Sequence, residues 1–341
     1  VPLSELFDVA LLDLDGTVYV GHRGIPGAAA AVAAARDAGL HPLYVTNNAA
    51  RTPQVVAAQL TALGLAAAAE DVVTSAQAGA RLVRERLQTR APVLVVGGDG
   101  LRSAVAAEGL EPVSSAENKP LAVVQGWAPE LAWPLLAEAA YALATGLPWI
   151  ATNTDRTLPT DRGVAPGNGS FVALLSGVVG RSPDAVAGKP SPALLSLAVS
   201  RAGATRPLAV GDRLDTDIAG ANAAGLPSLL VLTGVTGPAD LLVAVPEQRP
   251  TYVSRGLTGL LAAHPAPTAE DGAWSCGQAS AAVDDGVLRV RDAGDPLDRL
   301  RAACAAVWAA ADAGHAVDVE PAAQALGVLL DEGVSPASSG A

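Results

Sequence analysis

The sequence is short of several things that would announce a specialised surface. Aromatic residues make up 3% of its 341 positions and Met is absent, which by itself carries no functional message. A core must therefore be built from Ala and aliphatic side chains, and with half the residues apolar there is enough material for one. Cations are the minority, with 22 Lys and Arg against 34 Asp and Glu and a net charge of −12. Gripping nucleic acid or an anionic membrane takes clustered Lys and Arg, so both partner classes are excluded. Cys276 and Cys304 are the two cysteines, too few for a disulfide framework, and they read as buried reduced thiols. Charges and prolines break the apolar stretches well short of a membrane span. The first residues show no basic region leading into an apolar one, so no signal peptide is expected. A cytoplasmic protein without membrane insertion is expected, with two or three domains.

What is present is a rhythm. "DVALLDLD" reads as a buried strand, "PGAAAAVAAARDAG" as a helix, "HPLYVTNN" as a strand and "TPQVVAAQLTALG" as a helix. The middle repeats the alternation through "APVLVVGG", "GLRSAVAAEG", "PLAVVQGW", "ELAWPLLAEAAYALATG" and "LPWIATN". A Gly/Pro-rich loop, "DRGVAPGNGS", then leads to another helix, and the strand "RPLAVGD", helix "DIAGANAAG" and strand "PSLLVLTG" follow. Alternation of this kind predicts an α/β fold built on a doubly wound parallel sheet. Near Ala263 the pattern breaks. "HPAPTAEDGA" has a linker's composition. A hairpin turning at Asp285-Gly286, an amphipathic helix, a short strand "HAVDVE" and a last helix are expected beyond it, with "SPASSGA" unstructured.

Four strand ends carry chemistry. In a strand, positions i and i+2 face the same way, so Asp13 and Asp15 in "LLDLDGT" point together at the edge where ligands sit in open α/β sheets. Paired carboxylates repel, and a cation is expected beside them. The second strand ends in Thr46-Asn47-Asn48, whose hydroxyl and backbone N–H groups form a neutral cradle for phosphoryl oxygens. "GKPSP" sets Lys189 before a helix, a point charge suited to a phosphate or to crowded carboxylates. "LAVGDRLDTDIAGA" ends a strand at Asp212 and adds Asp215 and Asp217, a set that fits Mg²⁺. The first three pieces each have an ordinary explanation alone, as a polar turn, a helix cap or a solvated lysine, whereas three acids this close together after a buried strand are hard to explain as a solvated face.

Read in order, DxDGT at Asp13–Thr17, the Thr46 strand end, Lys189 and GDxxxTD at Gly211–Asp217 resemble the haloacid dehalogenase (HAD) superfamily of phosphatases. The resemblance implies that Asp13 is the nucleophile and Asp15 the general acid and base. Gly16, Thr46, Asn47, Asn48 and Lys189 would hold phosphoryl oxygens. Mg²⁺ would be held by Asp13, by Asp15 through its carbonyl, and by Asp212. Asp217, with Asp215, would support the site by orienting Lys189 or a metal-bound water. Such chemistry needs little beyond positioning and charge, because a phosphoryl transition state carries its charge on the equatorial oxygens.

About 140 residues separate the second motif from Lys189. The segment resembles the class IIA cap, on "TNNAARTP" and on "ATNTDRTLPTDRGVAPGNGSF" with Asn153, Asp155, Pro159 and Pro166-Gly167-Asn168-Gly169. Asn153 and Asp155 are candidate specificity residues by that resemblance. Trp127 reads either as cap core, like Trp149, or as a lid side chain that crowds the pocket and favours a small leaving group. The expected domains are a HAD core of residues 1–80 and 184–263, a cap of 81–183 and a small α+β region of 264–341. That last region resembles part of a GNAT acetyltransferase but lacks the R/QxxGxG/A loop for the acetyl-CoA pyrophosphate, so acetyl transfer is not expected. It reads as a docking or dimerising module or a cover for the core. The Trp-containing cap, Ala-rich composition and tail together resemble the glycerol-3-phosphate phosphatases of the superfamily. They imply a small phosphorylated metabolite as substrate, glycerol 3-phosphate favoured, and a homodimer paired through the caps. Phosphoglycolate, a nucleotide or a sugar phosphate are the alternative substrates, and a non-catalytic binding or regulatory protein is the alternative class.

Overall fold

The computed structural model describes residues 1–160, 162–291 and 293–331. The segment "SPASSGA" lies outside them. Six parallel strands form the central sheet in the order Tyr252–Ser254, Ser228–Val231, Pro207–Gly211, Val9–Leu12, His41–Thr46, Val72–Thr74. The strands read as unbroken apolar runs because both sheet faces are covered. In Val9–Leu12, Ala10 and Leu12 enter one apolar cluster with the helix Ala28–Asp37, while Val9 and Leu11 enter another with the helix Ala193–Ala202. From the central strand the chain first builds outward on one side. It then leaves for the middle segment and returns to place Pro207–Gly211 on the other side. The direction of winding thus reverses between Val9–Leu12 and Pro207–Gly211, where Leu12 lies opposite Val210. Ligands in such sheets sit outside the strand ends at this point of reversal.

The middle segment forms its own five-stranded parallel sheet, ordered Ala185–Val186, Trp149–Ala151, Ala122–Gln125, Pro92–Val96, Glu111–Val113. Helices Asp99–Ala107 and Ser75–Arg84 pack on one face, and Trp133–Ala144 and Asn168–Val179 on the other. The Gly/Pro-rich stretch expected as a loop is instead half of an antiparallel hairpin, Thr157–Thr160 with Gly163–Pro166. Its single ladder carries too little apolar pattern to be seen in sequence.

The C-terminal segment is a four-stranded antiparallel sheet, Thr268–Glu270, Ala273–Cys276, Ala279–Asp284 and Val287–Val290, followed by helices Pro296–Asp312 and Glu320–Asp331. The turn at Asp285-Gly286 has positive φ at both residues, 49° and 75°, as the Asp-Gly signal demands. Two expectations fail here. Part of the expected linker is the edge strand Thr268–Glu270, and "HAVDVE" makes only an isolated bridge, Val287 to Asp318. Leu300, Cys304 and Val307 of the longer helix and Cys276 of the sheet share one apolar cluster with Leu230, Leu241, Leu242 and Val253 of the half that carries the six-stranded sheet. The segment therefore covers part of the core. Both cysteines are buried free thiols.

Candidate active site

Asp13 follows the last residue of the central strand, and its N–H donates to the Val210 carbonyl at 2.8 Å. Asp212 follows the neighbouring strand at the same edge. Between them the chain turns at Gly16, with φ +84°, where a Cβ would lie 2.5 Å from the Asp212 carboxylate. Only glycine permits that turn and that approach. The Asp212 carboxylate accepts the Val235 N–H at 2.8 Å and the Thr17 hydroxyl at 3.4 Å. The Thr233 hydroxyl donates to the Gly16 carbonyl at 2.6 Å, tying this loop to the first motif. After Asp212 the chain makes a wide π-type turn, Leu214–Ile218, which brings Asp217 inward. Lys189 Nζ then lies 2.5 Å from Asp13 Oδ1 and 2.6 Å from Asp217 Oδ1, with 4% of the lysine side chain exposed.

Charge sets the character of the cluster. Burial pushes the Asp13 carboxyl up to about 8; Lys189 opposes the rise, and Asp217 and Asp212 add to it. Burial and then Asp217 push Asp212 up to about 6. Burial pulls the Lys189 ammonium down, but Asp13 and Asp217 outweigh it and hold it above its ordinary value. Asp13, Asp212 and Asp217 each offer a carboxylate oxygen within 4.8 Å of the others. Three carboxylates against one ammonium leave a buried excess of negative charge. An all-oxygen donor set with such an excess suits a hard divalent cation such as Mg²⁺.

Residues 10–111 match the family model for haloacid dehalogenase-like hydrolases, and residues 186–260 match a HAD-hydrolase-like model. Residues 276–331 match a GCN5-related N-acetyltransferase-like domain. The chain is 46% identical over 318 residues to a D-glycerol 3-phosphate phosphatase of Mycobacterium tuberculosis, covering 90% of this chain and 88% of the relative. It belongs to the haloacid dehalogenase-like hydrolases. Among solved members, a glycerol phosphate phosphatase of M. tuberculosis in complex with magnesium superposes with a TM-score of 0.84 at 46% identity, over 90% of this chain and 92% of that one. The p-nitrophenyl phosphatase of Archaeoglobus fulgidus gives 0.69 at 29% identity, over 74% and 98%.

The four HAD motifs thus meet at one sheet edge. Asp15 stands apart from the three-carboxylate group. Burial raises its carboxyl, while the Gly21 N–H and the Arg51 guanidinium oppose the rise. Thr46 is buried and its hydroxyl oxygen accepts the Asn48 N–H at 3.1 Å, while Asn48 Oδ1 accepts the Ala50 N–H at 2.9 Å. These bonds shape the turn that follows the second motif.

Asp215 departs from the expected carboxylate set. It turns away to Arg213, whose Nη2 lies 2.7 Å from it, and that hydrogen bond holds its carboxyl below the ordinary value. The wide turn puts positions 212 and 217 on the inner side and 215 on the outer. From the cap, Asn153 Nδ2 donates to the Asn47 carbonyl at 2.8 Å, and Asp155 Oδ2 accepts from Asn47 Nδ2 at 3.3 Å. Trp149 is fully buried in the cap, its indole N–H on Gln125 Oε1 at 3.1 Å. Trp127 is half-buried and joins neither cap cluster. Two features escaped sequence reasoning. Arg51, which hydrogen-bonds the Tyr19 hydroxyl and Gln59 Oε1, faces Asp15. The Thr233–Val235 loop fixes Asp212. Arg51 lies within "TNNAARTP", and a cation beside that motif was the available signal.

Proposed function

We propose that the protein is a Mg²⁺-dependent phosphatase that hydrolyses glycerol 3-phosphate to glycerol and phosphate. The observation that carries the chemistry is Lys189 seated between Asp13 and Asp217 at the sheet edge, with Asp212 beside them. The substrate rests on the likeness to a D-glycerol 3-phosphate phosphatase over nine-tenths of the chain.

In this reading an Asp13 carboxylate oxygen attacks phosphorus and the bond to the glycerol oxygen breaks. Asp15 gives its proton to the departing alkoxide. It then takes a proton from the water that attacks the aspartyl-phosphate, releasing phosphate and restoring Asp13. Asp15 is suited to this because its carboxyl is raised and lies outside the three-carboxylate group. Asp13 must be ionised to attack, and burial works against that. Lys189 counters it. The Asp13 and Asp212 carboxylates, with the Asp15 carbonyl by the family resemblance, would hold Mg²⁺, which would supply the rest of the positive charge needed by the nucleophile and the phosphoryl oxygens. Asp217 is engaged by Lys189 and serves as its anchor. The Thr46 hydroxyl, whose oxygen accepts the Asn48 N–H, would complete the cradle with its own proton.

The cap's outer helices leave Trp133, Tyr141, Leu174 and Val178 between 50% and 74% exposed, and that apolar face is read as the seat of a second copy. None of the described helices is long and apolar enough to cross a membrane. That, the acidic composition and the free buried thiols support a cytoplasmic setting. The deciding assay is Mg²⁺-dependent phosphate release from glycerol 3-phosphate, phosphoglycolate, a sugar phosphate and a nucleoside monophosphate, with Asp13→Asn as control. The highest kcat/KM on glycerol 3-phosphate and an inactive control are expected. A different best ester overturns the substrate, and an active control overturns the nucleophile.

A further inference from the structure

Asn47 is expected, by resemblance, to touch phosphate, yet the structure spends its side chain elsewhere. Its Oδ1 accepts the Lys189 N–H at 2.9 Å, and its Nδ2 donates to the Lys189 carbonyl at 3.0 Å. The amide therefore grips both polar groups of one residue's main chain. The other Nδ2 hydrogen goes to Asp155 of the cap at 3.3 Å. A carboxamide has two N–H donors, so none is left for a phosphoryl oxygen. The Asn47 carbonyl is also occupied, by the Ser75 hydroxyl at 2.6 Å and by the amide of Asn153, again from the cap, at 2.8 Å.

The facing segment is held just as closely. Gly188 donates its N–H to the Thr152 carbonyl at 2.7 Å. A Cβ on Gly188 would lie 2.5 Å both from Asn47 Oδ1 and from that carbonyl. The chain that delivers Lys189 thus runs between Asn47 of the core and Thr152 of the cap with no room for a side chain. Thr152, Asn153 and Asp155 are near neighbours in sequence, at the end of the strand Trp149–Ala151. One short stretch of cap therefore meets the lysine's main chain at Gly188 and meets the asparagine that grips it.

We propose that Asn47 is a positioning residue that couples the seat of the cap to the catalytic lysine. With Asp155 holding its side-chain amide and Asn153 its main-chain carbonyl, Asn47 is set to clamp the Lys189 main chain, and Nζ falls between Asp13 and Asp217. When the cap lifts, the Asp155 and Asn153 bonds break, the amide is free to rotate, and the lysine loses its register. Hydrolysis is then favoured when the cap is seated over a substrate. The coupling rests on the phosphatase function proposed above, though not on the identity of the ester.

The test compares Asn47→Ala, Asp155→Ala, Asp155→Asn and the double variant Asn47→Ala/Asp155→Ala with the full-length parent chain. Both p-nitrophenyl phosphate and glycerol 3-phosphate are used, so that a wrong substrate leaves the comparison intact. An inactive parent on both esters would instead overturn the phosphatase function itself. A lysine displaced by an ångström predicts that Asn47→Ala lowers kcat about 10²-fold. KM and the inhibition constant of inorganic phosphate should change less than about threefold, because no direct phosphate contact is lost. Asp155→Ala should lower kcat about tenfold and Asp155→Asn should restore most of it, since an amide oxygen still accepts the Asn47 bond. The double variant should be no slower than Asn47→Ala alone. Two results overturn the proposal. One is a rise in KM and in the phosphate inhibition constant with kcat held, which would make Asn47 a phosphate ligand. The other is full additivity of the two alanine changes, which would disconnect the cap from the clamp. Circular dichroism and melting of Asp155→Asn, an isosteric change, guard against misfolding as the cause.

Discussion

Lys189 has two carboxylates within 2.6 Å and almost no water. Removing it leaves Asp13 and Asp217 buried against each other. Lys189→Met should therefore cost about 3 kcal/mol of stability in metal-free protein, as expected when one member of a buried pair is deleted. It should also lower kcat/KM by about 10²–10³-fold through the loss of charge facing the phosphoryl oxygens. Melting and steady-state kinetics on the same preparation read both; an unchanged melting temperature would mean the pair is not buried in solution. The carboxylates make a second prediction, about pH. Asp212 is pushed up to about 6 and Asp13 is raised further, so the folded state holds protons that the unfolded chain, titrating near 4, has released. Stability from these groups is therefore fully present below about pH 4 and is lost as pH rises through the folded values. In EDTA the melting temperature should fall from pH 4.5 to 8. With saturating Mg²⁺, which binds the ionised carboxylates, the fall should flatten. Identical profiles with and without Mg²⁺ would deny the cluster a metal. Asp13 and Asp212 were legible in sequence because each sits beside a strand end, where one-dimensional pattern and three-dimensional edge coincide, and Lys189 because "GKPSP" sets a lone cation just before a helix. Arg51 was not, because its pairing with Tyr19 and its approach to Asp15 depend on how a turn folds back. Nor was the parting of Asp215 from Asp217, which the width of one turn decides.

Elements were readable in proportion to their apolar pattern. The strands Val9–Leu12, His41–Thr46 and Pro207–Gly211 are buried along almost their whole length and announced themselves. Two short strands, Ala185–Val186 and Tyr252–Ser254, carry too few positions for any period and went unseen. The helix Pro296–Asp312 had both signals, an apolar stripe and a start marked by Asp295, whose carboxylate accepts the Leu297 N–H at 2.8 Å with Pro296 at the first turn. What sequence could not say is what the stripe packs against. Leu300 on that helix is fully buried in the cluster shared with the catalytic half. Leu300→Ala should cost about 3 kcal/mol, the usual penalty for a cavity at a packed leucine, measured by urea unfolding. A loss under 1 kcal/mol would place the helix loosely on its neighbours.

The same leucine bears on how the molecule holds together. Its cluster includes Leu230 from the catalytic sheet and Ile218 from the turn that carries Asp217. Ile218 directly follows the carboxylate that anchors Lys189. The C-terminal segment thus props the turn on which the lysine depends, although it contributes no residue to the site. A segment with a core of its own would melt separately and leave catalysis untouched. One sharing its core with the site should melt with it, because neither half can keep its apolar surface from water alone. Calorimetry of the full chain should accordingly show the catalytic half and the C-terminal segment in a single transition. In Leu300→Ala that transition should move down by several degrees, and the temperature at which phosphate release is lost should move down by the same amount. If instead the variant splits the trace and activity survives to the parent temperature, the C-terminal segment is an appendage, and the support for Asp217 must come from the sheet alone.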